Sequence, residues 1–228
     1  MAEPSGEHVL TGAEREEWCR IGRLRRYRDH SILLREGEKP RQVLLIDSGQ
    51  IKIATRGSTG REVLLAIRGP GEIVGEIAAL DGNEHSATVT AMGEVRAYAL
   101  TPAEFLDFLH RHPRLSVGLL LLMIRRLREA DRQRLEYGVL PVTGRIASRL
   151  LHLAERYGEP AADGGVRIAL RLTRAELADS VPASPKAVAL GLRELYAASV
   201  LDSDARHHFV IRDLDALRAL ASGVTRLT

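Results

Sequence analysis

The sequence contains a single cysteine, Cys19, among its 228 residues. One thiol cannot form an internal disulfide, a zinc site of several thiolates or an iron–sulfur cluster held by four cysteines. The adjacent pair His207 and His208 has no further histidine or cysteine at metal-ligand spacing. We therefore expect no metal site in this protein.

Long apolar runs are also lacking. The only sustained one, Val117 to Ile124, ends at Arg125 and Arg126 and is too short to cross a bilayer. The first residues, MAEPSGEH, lack the basic and apolar segments of a secretory signal. These features predict a cytoplasmic protein with no membrane partner.

A large excess of charge of one sign is missing as well. The net charge of +3 and the sequence pI near 9.3 permit an anionic partner but do not require one. The sequence also has no GxSxG segment of the kind that presents a nucleophilic serine. We expect no enzyme activity, and any nucleic-acid contact must come from a local arrangement of charges.

The first half of the chain has the pattern of a small antiparallel β domain. A length of 228 residues with 45% apolar content suits two modest domains. A short helix is predicted from Thr11, with Glu14 completing a capping box and Trp18 facing inward. Short apolar stretches follow up to Leu100, separated by the turns EGEKP, SGQ, RGSTG, RGPG, DGNE and MGE. Strands of this kind predict a barrel or a sandwich.

Two helices are predicted next. Thr101 is the N-cap of the first, and Pro102 is its first residue. The second runs from Pro113 without a helix breaker until Pro141 and would be roughly 40 Å long. Its apolar face comprises Leu115, Leu119, Leu122, Met123, Leu127 and Leu135. Such a long helix suggests packing against a partner helix, the alternative being a helix of the domain core.

The last third has the order of a winged helix-turn-helix. A helix over 142–157 is followed by a strand in GGVRIALRL and by two short helices, the first capped by Thr173 and Glu176 and the second by Ser184. A hairpin that carries Arg206 would form the wing. Residues on the outer face of the second helix are Ser184, Lys186, Ala187, Leu190 and Arg193. This helix enters the major groove of DNA in such motifs.

The whole chain resembles the family of the cyclic-AMP receptor protein and the fumarate-nitrate reductase regulator (Crp/Fnr). The motifs that carry this resemblance are REGE at 35–38, SGQIKI at 48–53, GPGEIVGEIAAL at 69–80, RRL at 125–127, VTGRIASRLLHLA at 142–154 and LTRAELADSVPASPKAV at 172–188. The resemblance implies an α+β fold with a ligand-binding β-roll over 1–112, a dimerisation helix over 113–140 and a DNA-binding winged helix-turn-helix domain over 141–228.

The resemblance also implies a nucleotide pocket in the β-roll. The matching positions are Gly75, Glu76, Ile77, Ala78, Ser86 and Ala87, with His85 where the family has a phosphate-binding arginine and Asp131 on the dimer helix. Gly75 would let backbone amides approach the ligand, Glu76 would accept from a ribose hydroxyl, and Ser86 would donate to the phosphate. A cyclic nucleotide such as cyclic AMP is the candidate ligand.

Three departures from the family pattern limit what the resemblance implies: two leave open another ligand or none, and the third concerns the operator. His85 replaces a permanently charged fork with a group that is mostly neutral at pH 7 and would have to be protonated to bind a phosphate. Ala130 and Asp131 stand where cyclic-AMP binders usually have hydroxyl residues. Pro185, Lys186 and Leu190 replace the residues that read bases in the reading helix, so the operator sequence cannot be inferred.

Two functions are therefore under consideration. The first is a homodimeric transcriptional regulator that binds double-stranded DNA through Thr173, the reading helix and Arg206, with RNA polymerase as a further candidate partner. The second, suggested by Pro185 and Leu190, is a nucleotide-sensing interaction protein without sequence-specific DNA binding. Binding to random DNA sequences at two salt concentrations distinguishes them.

Overall fold

The fold was analysed in a computed structural model, which describes residues 9–57, 60–162, 164–170, 172–205 and 207–223. The chain divides into two compact units, Met1–Leu127 and Arg128–Thr228. Arg206, one of the predicted DNA contacts, lies outside the described residues.

The first unit is a β-roll with helices at both ends of its sequence. Its elements are α1 (Gly12–Ile21), β1 (Arg23–Tyr27), β2 (Ile32–Leu34), β3 (Val43–Arg56), β4 (Glu62–Arg68), β5 (Ile73–Val74), α2 (Glu76–Asp81), β6 (Thr88–Leu100), α3 (Pro102–Arg111) and the long helix α4 (Pro113–Val139), which continues into the second unit. The strands form one antiparallel sheet in the order β1-β6-β3-β4, with β2 on β6 and β5 on β3. The capping box predicted at Thr11 and the N-cap predicted at Thr101 are both present, and Glu104 completes a capping box at Thr101 that the sequence analysis did not predict.

Two turns predicted between strands are instead irregularities within long strands. Gly49 in the SGQ segment and Gly93 in the MGE segment have φ values of +85° and +84°, and the strands β3 and β6 continue through them. The register between β3 and β6 shifts on both sides of Ser48. A Cβ atom at Gly49 would collide with the carbonyl oxygen of Glu94. Glycine is thus needed at position 49 both for its backbone angle and for the close approach of the two strands.

The main core of the first unit joins the sheet to the helices. Trp18, Phe105 and Phe108 are fully buried, with ring centroids 5.7 and 5.3 Å from Trp18. The Trp18 indole donates to the carbonyl of Tyr98 on β6 at 3.1 Å. Cys19 is half-buried beside this core, and desolvation raises the pKa of its thiol.

The apolar residues of α4 lie on two different faces. Leu115, Leu119 and Leu122 are buried in the core of the first unit, so their predicted packing against a partner helix is wrong. Sequence periodicity shows that α4 has apolar faces but does not say which of them packs against the chain's own domain. The face predicted to meet a partner helix is the one that packs inside the domain. The exposed apolar residues of α4 are Val117, Leu120, Leu121, Ile124, Leu127, Leu135 and Val139.

The second unit contains the helix-turn-helix and a small sheet. Besides the end of α4 it has α5 (Val142–Tyr157), β7 (Gly158–Pro160), β8 (Val166–Ile168), α6 (Arg174–Asp179), α7 (Pro185–Ala197), β9 (Leu201–Ser203), β10 (Phe209–Ile211) and α8 (Leu214–Ala221). The sheet has the order β7-β8-β10-β9, and β9 with β10 forms the predicted hairpin. The strand predicted in GGVRIALRL is shorter, Val166–Ile168. The α+β fold with a β-roll, a long helix and a winged helix-turn-helix is confirmed.

Within the described ranges, no helix combines the length and hydropathy needed to cross a bilayer. The same ranges hold no group of three or more His, Cys, Asp and Glu side chains placed to bind a metal ion.

Candidate functional site

An apolar row of side chains across four strands forms one wall of a cavity in the first unit. Ala66 on β4 pairs with Ile53 on β3, which pairs with Val89 on β6, which pairs with Leu34 on β2. Because neighbouring residues in register point to the same face of a sheet, these four side chains make a continuous apolar surface. The cavity has a volume of about 260 Å³.

The turn from β5 into α2 provides the next part of the cavity. Gly75 has a φ of +86°, and a Cβ atom there would lie 3.0 Å from the Gln42 carbonyl oxygen and 3.0 Å from a Leu34 methyl group. A larger residue would therefore be strained in its backbone and crowded. Glycine at this position brings the chain close to the sheet and directs Glu76, the first residue of α2, into the cavity lining.

Glu76 is buried and paired with an arginine from the long helix. Its Oε1 atom accepts a hydrogen bond from Nη1 of Arg126 at 2.8 Å. The Nε and Nη2 atoms of Arg126 are buried, and neither has a hydrogen-bond partner among the described residues. Buried donors of this kind are normally satisfied, so an acceptor on a ligand would remove an energetic cost at this point.

His85 is held by its backbone, and its burial disfavours the charged imidazole. Its N–H donates to the Glu38 carbonyl at 2.9 Å, and its carbonyl accepts from the Gly37 N–H at 2.9 Å. The residue is 8% exposed, and desolvation lowers the pKa of its imidazole although Glu38 and Glu76 act in the opposite direction. The protonated form that phosphate binding by His85 requires is therefore disfavoured by its surroundings.

Most residues predicted to bind a ligand do line one cavity. These residues are Gly75, Glu76, Ile77, Ala78, His85, Ser86 and Ala87. Asp131 lies on the part of α4 that belongs to the second unit, where it is exposed and 3.4 Å from Arg134. Their roles in binding remain predictions.

Sequence reasoning missed two arginines that line the same cavity, Arg68 and Arg126. Arg68 is the last residue of β4, and its side chain is 11% exposed. A basic residue ending the otherwise apolar stretch VLLAI was the available signal. Arg126 belongs to the RRL motif, but its contact with Glu76, 50 residues earlier in the chain, could not be read from local spacing.

The helix-turn-helix of the second unit forms as predicted. The Thr173 hydroxyl accepts from the Glu176 N–H, and the Glu176 carboxylate accepts from the Thr173 N–H at 2.9 Å. The Ser184 hydroxyl accepts from the Ala187 N–H at 3.2 Å and begins α7. Both helix starts are thus satisfied by short polar side chains.

Packing against α5 decides which face of α7 is presented outward. A Cβ atom at Gly191 would lie 2.8 Å from a methyl group of Ile146 on α5, so the two helices are in close contact there. Val188 and Leu195 are buried on the same side. The predicted DNA contacts Ser184, Lys186, Leu190 and Arg193 are exposed, and Ala187 is half-buried.

The hairpin after α7 carries imidazole groups at its tip. His207 has a φ of +63°, and Nδ1 of His208 lies 2.9 Å from a carboxylate oxygen of Asp204. Arg174, the first residue of α6, is exposed and lies over the ring of Tyr196 at 5.1 Å. Side chains from α6, α7 and the hairpin border a second cavity of about 640 Å³. Arg174 is a cation at the start of the helix-turn-helix that the sequence prediction omitted.

Comparisons with known proteins agree with both halves of this description. Residues 24–112 match the cyclic nucleotide-binding domain family, and residues 144–220 match the Crp-like helix-turn-helix domain family. The chain is 34% identical over 185 residues to the CRP-like cAMP-activated global transcriptional regulator of Mycobacterium tuberculosis, covering 78% of this chain and 82% of that protein. It is 28% identical over 173 residues to the cAMP-activated global transcriptional regulator CRP of Escherichia coli, covering 75% and 81%.

Solved structures show the same fold. The c-di-GMP responsive global regulator CLP of Xanthomonas campestris superposes with a TM-score of 0.78 at 21% identity, covering 89% of this chain and 100% of that chain. FixK2 of Bradyrhizobium japonicum superposes with a TM-score of 0.73 at 20% identity, covering 88% and 97%.

Proposed function

The chain belongs to the Crp/Fnr family of bacterial transcription regulators, and from this membership we propose how its parts act. It is a DNA-binding transcription regulator with a cyclic-nucleotide-binding-type domain. The alternative of an interaction protein that has lost DNA binding is not favoured, because the reading helix is intact and its polar residues are exposed. The proposal contains no catalytic step, since the family consists of transcription regulators.

We propose that α7 reads DNA in the major groove, with Lys186 and Arg193 as its basic contacts. Both side chains are exposed on the face of α7 opposite its packing against α5. We also propose that Arg174 contacts the phosphate backbone, because it stands at the N-terminus of α6 beside the hairpin. Thr173, Ser184, Ala187, Leu190 and Arg206 remain predicted contacts.

The test of DNA reading is a selection from random duplexes followed by affinity measurements at two salt concentrations. The wild-type protein should enrich particular sequences, whereas uniform and strongly salt-dependent binding would contradict the proposal. The double variant Lys186→Ala, Arg193→Ala should bind the selected duplex at least about tenfold more weakly. The control is the exposed Arg218→Ala on α8, which removes the same kind of charge from the same unit. Equal affinities of the double variant and the wild type would refute this assignment.

We propose that the protein is a homodimer through the exposed face of α4. Val117, Leu121 and Ile124 lie three to four residues apart on this face, and Leu127 follows at the same spacing. A contiguous exposed apolar stripe on a helix is the usual surface for a second helix of the same kind. The domain boundaries at 112 and 140 are part of this proposal, with 113–140 as the dimerisation helix.

The cavity of the β-roll is proposed to bind a small anionic ligand of the cyclic-nucleotide class. The observation that carries this assignment is the buried pair of Arg126 and Glu76, in which two buried guanidinium nitrogens lack partners among the described residues. Two relatives are cAMP-activated by name, so cyclic AMP is the first ligand to test. Because Arg126 is on the helix proposed to dimerise, occupancy of the cavity can influence the dimer.

The remaining partners follow from this role. A transcription regulator acts on transcription by RNA polymerase, and we include contact with the polymerase in the proposal. Because chromosomal DNA lies in the bacterial cytoplasm, we propose that the protein acts there.

A further inference from the structure

The charge that a phosphate needs is present in the cavity, but on a strand of the sheet rather than on the loop that carries His85. Arg68 ends β4 two residues after Ala66, which belongs to the apolar row of the cavity wall. Alternate residues of a strand point to the same face, so Arg68 is directed to the cavity side of the sheet. It is one of the residues that line the cavity.

Neighbouring groups hold the Arg68 guanidinium in place. Its Nε atom lies 3.3 Å from Oε1 of Glu72, and its Nη1 donates to the Ile67 carbonyl at 3.2 Å. Glu72 is 3% exposed and is itself fixed by the Gly69 N–H, which donates to its other oxygen at 2.7 Å. A cation held in this way loses little conformational freedom when a ligand binds.

Two other residues of the described cavity lining can carry a positive charge, His85 and Arg126. His85 is buried next to Gly75, and desolvation disfavours its protonated form. Arg126 forms a 2.8 Å hydrogen bond with Glu76 through Nη1, and its buried Nε and Nη2 atoms are left for another acceptor of the ligand. A guanidinium has five N–H donors and can bridge a carboxylate and a phosphate at the same time, with a fork that fits two phosphate oxygens.

We propose that Arg68 binds the anionic phosphodiester group of the cavity's ligand, in place of a cation at position 85. This inference rests on the proposed function of the β-roll as a binding site for the cyclic-nucleotide class. The apolar row of Leu34, Ile53, Ala66 and Val89 then lies against the uncharged part of the ligand.

The test compares nucleotides with a nucleoside that lacks the phosphate. Calorimetry is carried out with 3′,5′-cyclic AMP, 3′,5′-cyclic GMP and adenosine on the full-length protein. The wild type should prefer one of the two cyclic nucleotides to adenosine by about 10- to 100-fold, the size expected for a charge-assisted contact. This preference should persist in His85→Gln, which removes the imidazole but leaves Arg68.

Removing Arg68 alone would leave the carboxylate of Glu72 buried without this cation, so the decisive variant is the double substitution Arg68→Leu, Glu72→Gln. Its matched control is Glu72→Gln alone, and the melting temperature of each variant shows that it is folded. The preference for the nucleotide over adenosine should fall to within about threefold in the double variant, remain in Glu72→Gln, and be reduced in Arg68→Lys because lysine lacks the fork.

An unchanged preference in the double variant overturns the inference, and so does its loss in His85→Gln. Failure of the wild type to bind either nucleotide also overturns it. In that case sequence-selective DNA binding, measured on the same preparation, shows whether the regulator function still holds. The two proposals can therefore fail separately.

Discussion

Glycine is needed for different reasons at two positions inside the long strands of the β-roll. Gly49 and Gly93 both have positive φ values near +85°, which glycine adopts at little cost. A Cβ atom at Gly49 would collide with the backbone of Glu94, whereas nothing lies within 4 Å of the Cβ position at Gly93. The first position therefore combines a conformational and a steric requirement, and the second has only the conformational one.

We predict that Gly49→Ala lowers the free energy of unfolding of the first unit by more than about 3 kcal/mol, and Gly93→Ala by about 1–2 kcal/mol. Urea unfolding followed by fluorescence measures both, because Trp18 is the only tryptophan and lies in the core of this unit. Similar losses for the two variants would contradict the proposed close approach of the strands at Gly49.

The buried imidazole of His85 should make the stability of the β-roll depend on pH. Desolvation lowers the pKa of His85 in the folded protein below its ordinary value of 6.5. The unfolded chain then binds more protons at acidic pH, so the contribution of His85 to stability is complete above about pH 6.5 and is lost as the pH falls through the folded pKa.

We predict that His85→Gln loses less stability than the wild type when the pH is lowered from 7.5 to 5. Unfolding curves of both proteins at the two pH values give this difference. The control is His110→Gln, since His110 is exposed on α3. If His85→Gln and the wild type lose the same free energy, desolvation of this imidazole does not govern the acid sensitivity.

Helix starts are the elements that the sequence specifies most directly. Three capping boxes, at Thr11, Thr101 and Thr173, are present in the structure. Those at Thr11 and Thr173 were predicted from four-residue patterns, and at Thr101 the N-cap alone was predicted. All three depend only on neighbours within one turn of the chain. The box at Thr173 begins a helix of six residues, Arg174–Asp179, which has few other internal hydrogen bonds.

We predict that Thr173→Ala destabilises the second unit by about 1 kcal/mol and weakens DNA binding. Loss of protection of the Glu176 amide in hydrogen exchange would locate the effect at the start of α6. The matched control Thr101→Ala removes the same kind of cap from α3 and should leave DNA affinity unchanged. Equal effects of the two variants on DNA affinity would rule out a specific role of the α6 cap.

Elements that depend on distant contacts were not predictable in the same way. The N-cap residue of α2 is Gly75, which has no side chain to cap the helix, so the six residues Glu76–Asp81 resemble a continuation of the apolar strand pattern. The segments on either side of Gly49 look like two strands because glycine usually marks a turn, yet β6 pairs with both. The helix α8 was not predicted, although Asp213 before it is a typical N-cap residue and accepts a hydrogen bond from the Ala216 N–H.

The residues of the candidate site also differ in whether a local motif or a distant contact places them there. The loop residues Gly75 and Ser86 were found from a local motif and line the cavity. Arg68 and Arg126 reach it from β4 and α4, far from the motif in the sequence. The folded sheet and the long helix determine which cations line the cavity. Short sequence motifs do not reveal contacts of this kind.

At the scale of the whole molecule, one apolar face of α4 is buried in its own domain and another is exposed in the single chain. Leu122 is 1% exposed and Leu127 is 61% exposed, although the sequence pattern treats them alike. Substitutions at these two positions should therefore have different consequences. A carboxylate at position 122 should disrupt the core of the first unit, and a carboxylate at position 127 should disrupt the proposed interface between chains.

We predict that Leu127→Glu converts the dimer to a folded monomer, because a carboxylate would have to be buried in the interface. Sedimentation velocity at micromolar concentration measures the change. Leu122→Glu should instead lower the melting temperature of the first unit, which serves as the comparison for general destabilisation. An unaltered sedimentation coefficient for Leu127→Glu would show that the exposed face of α4 is not the dimer interface.

The exposed leucines of α4 also connect stability to the amount of protein. If two chains cover this face only when they associate, the folded dimer is favoured by mass action, and its melting temperature rises with chain concentration. Diluted chains would leave Leu120, Leu121 and Leu127 in water. A cell that makes little of this protein would then hold a larger fraction of it in the dissociated form, so expression level itself would act on the regulator before any ligand does.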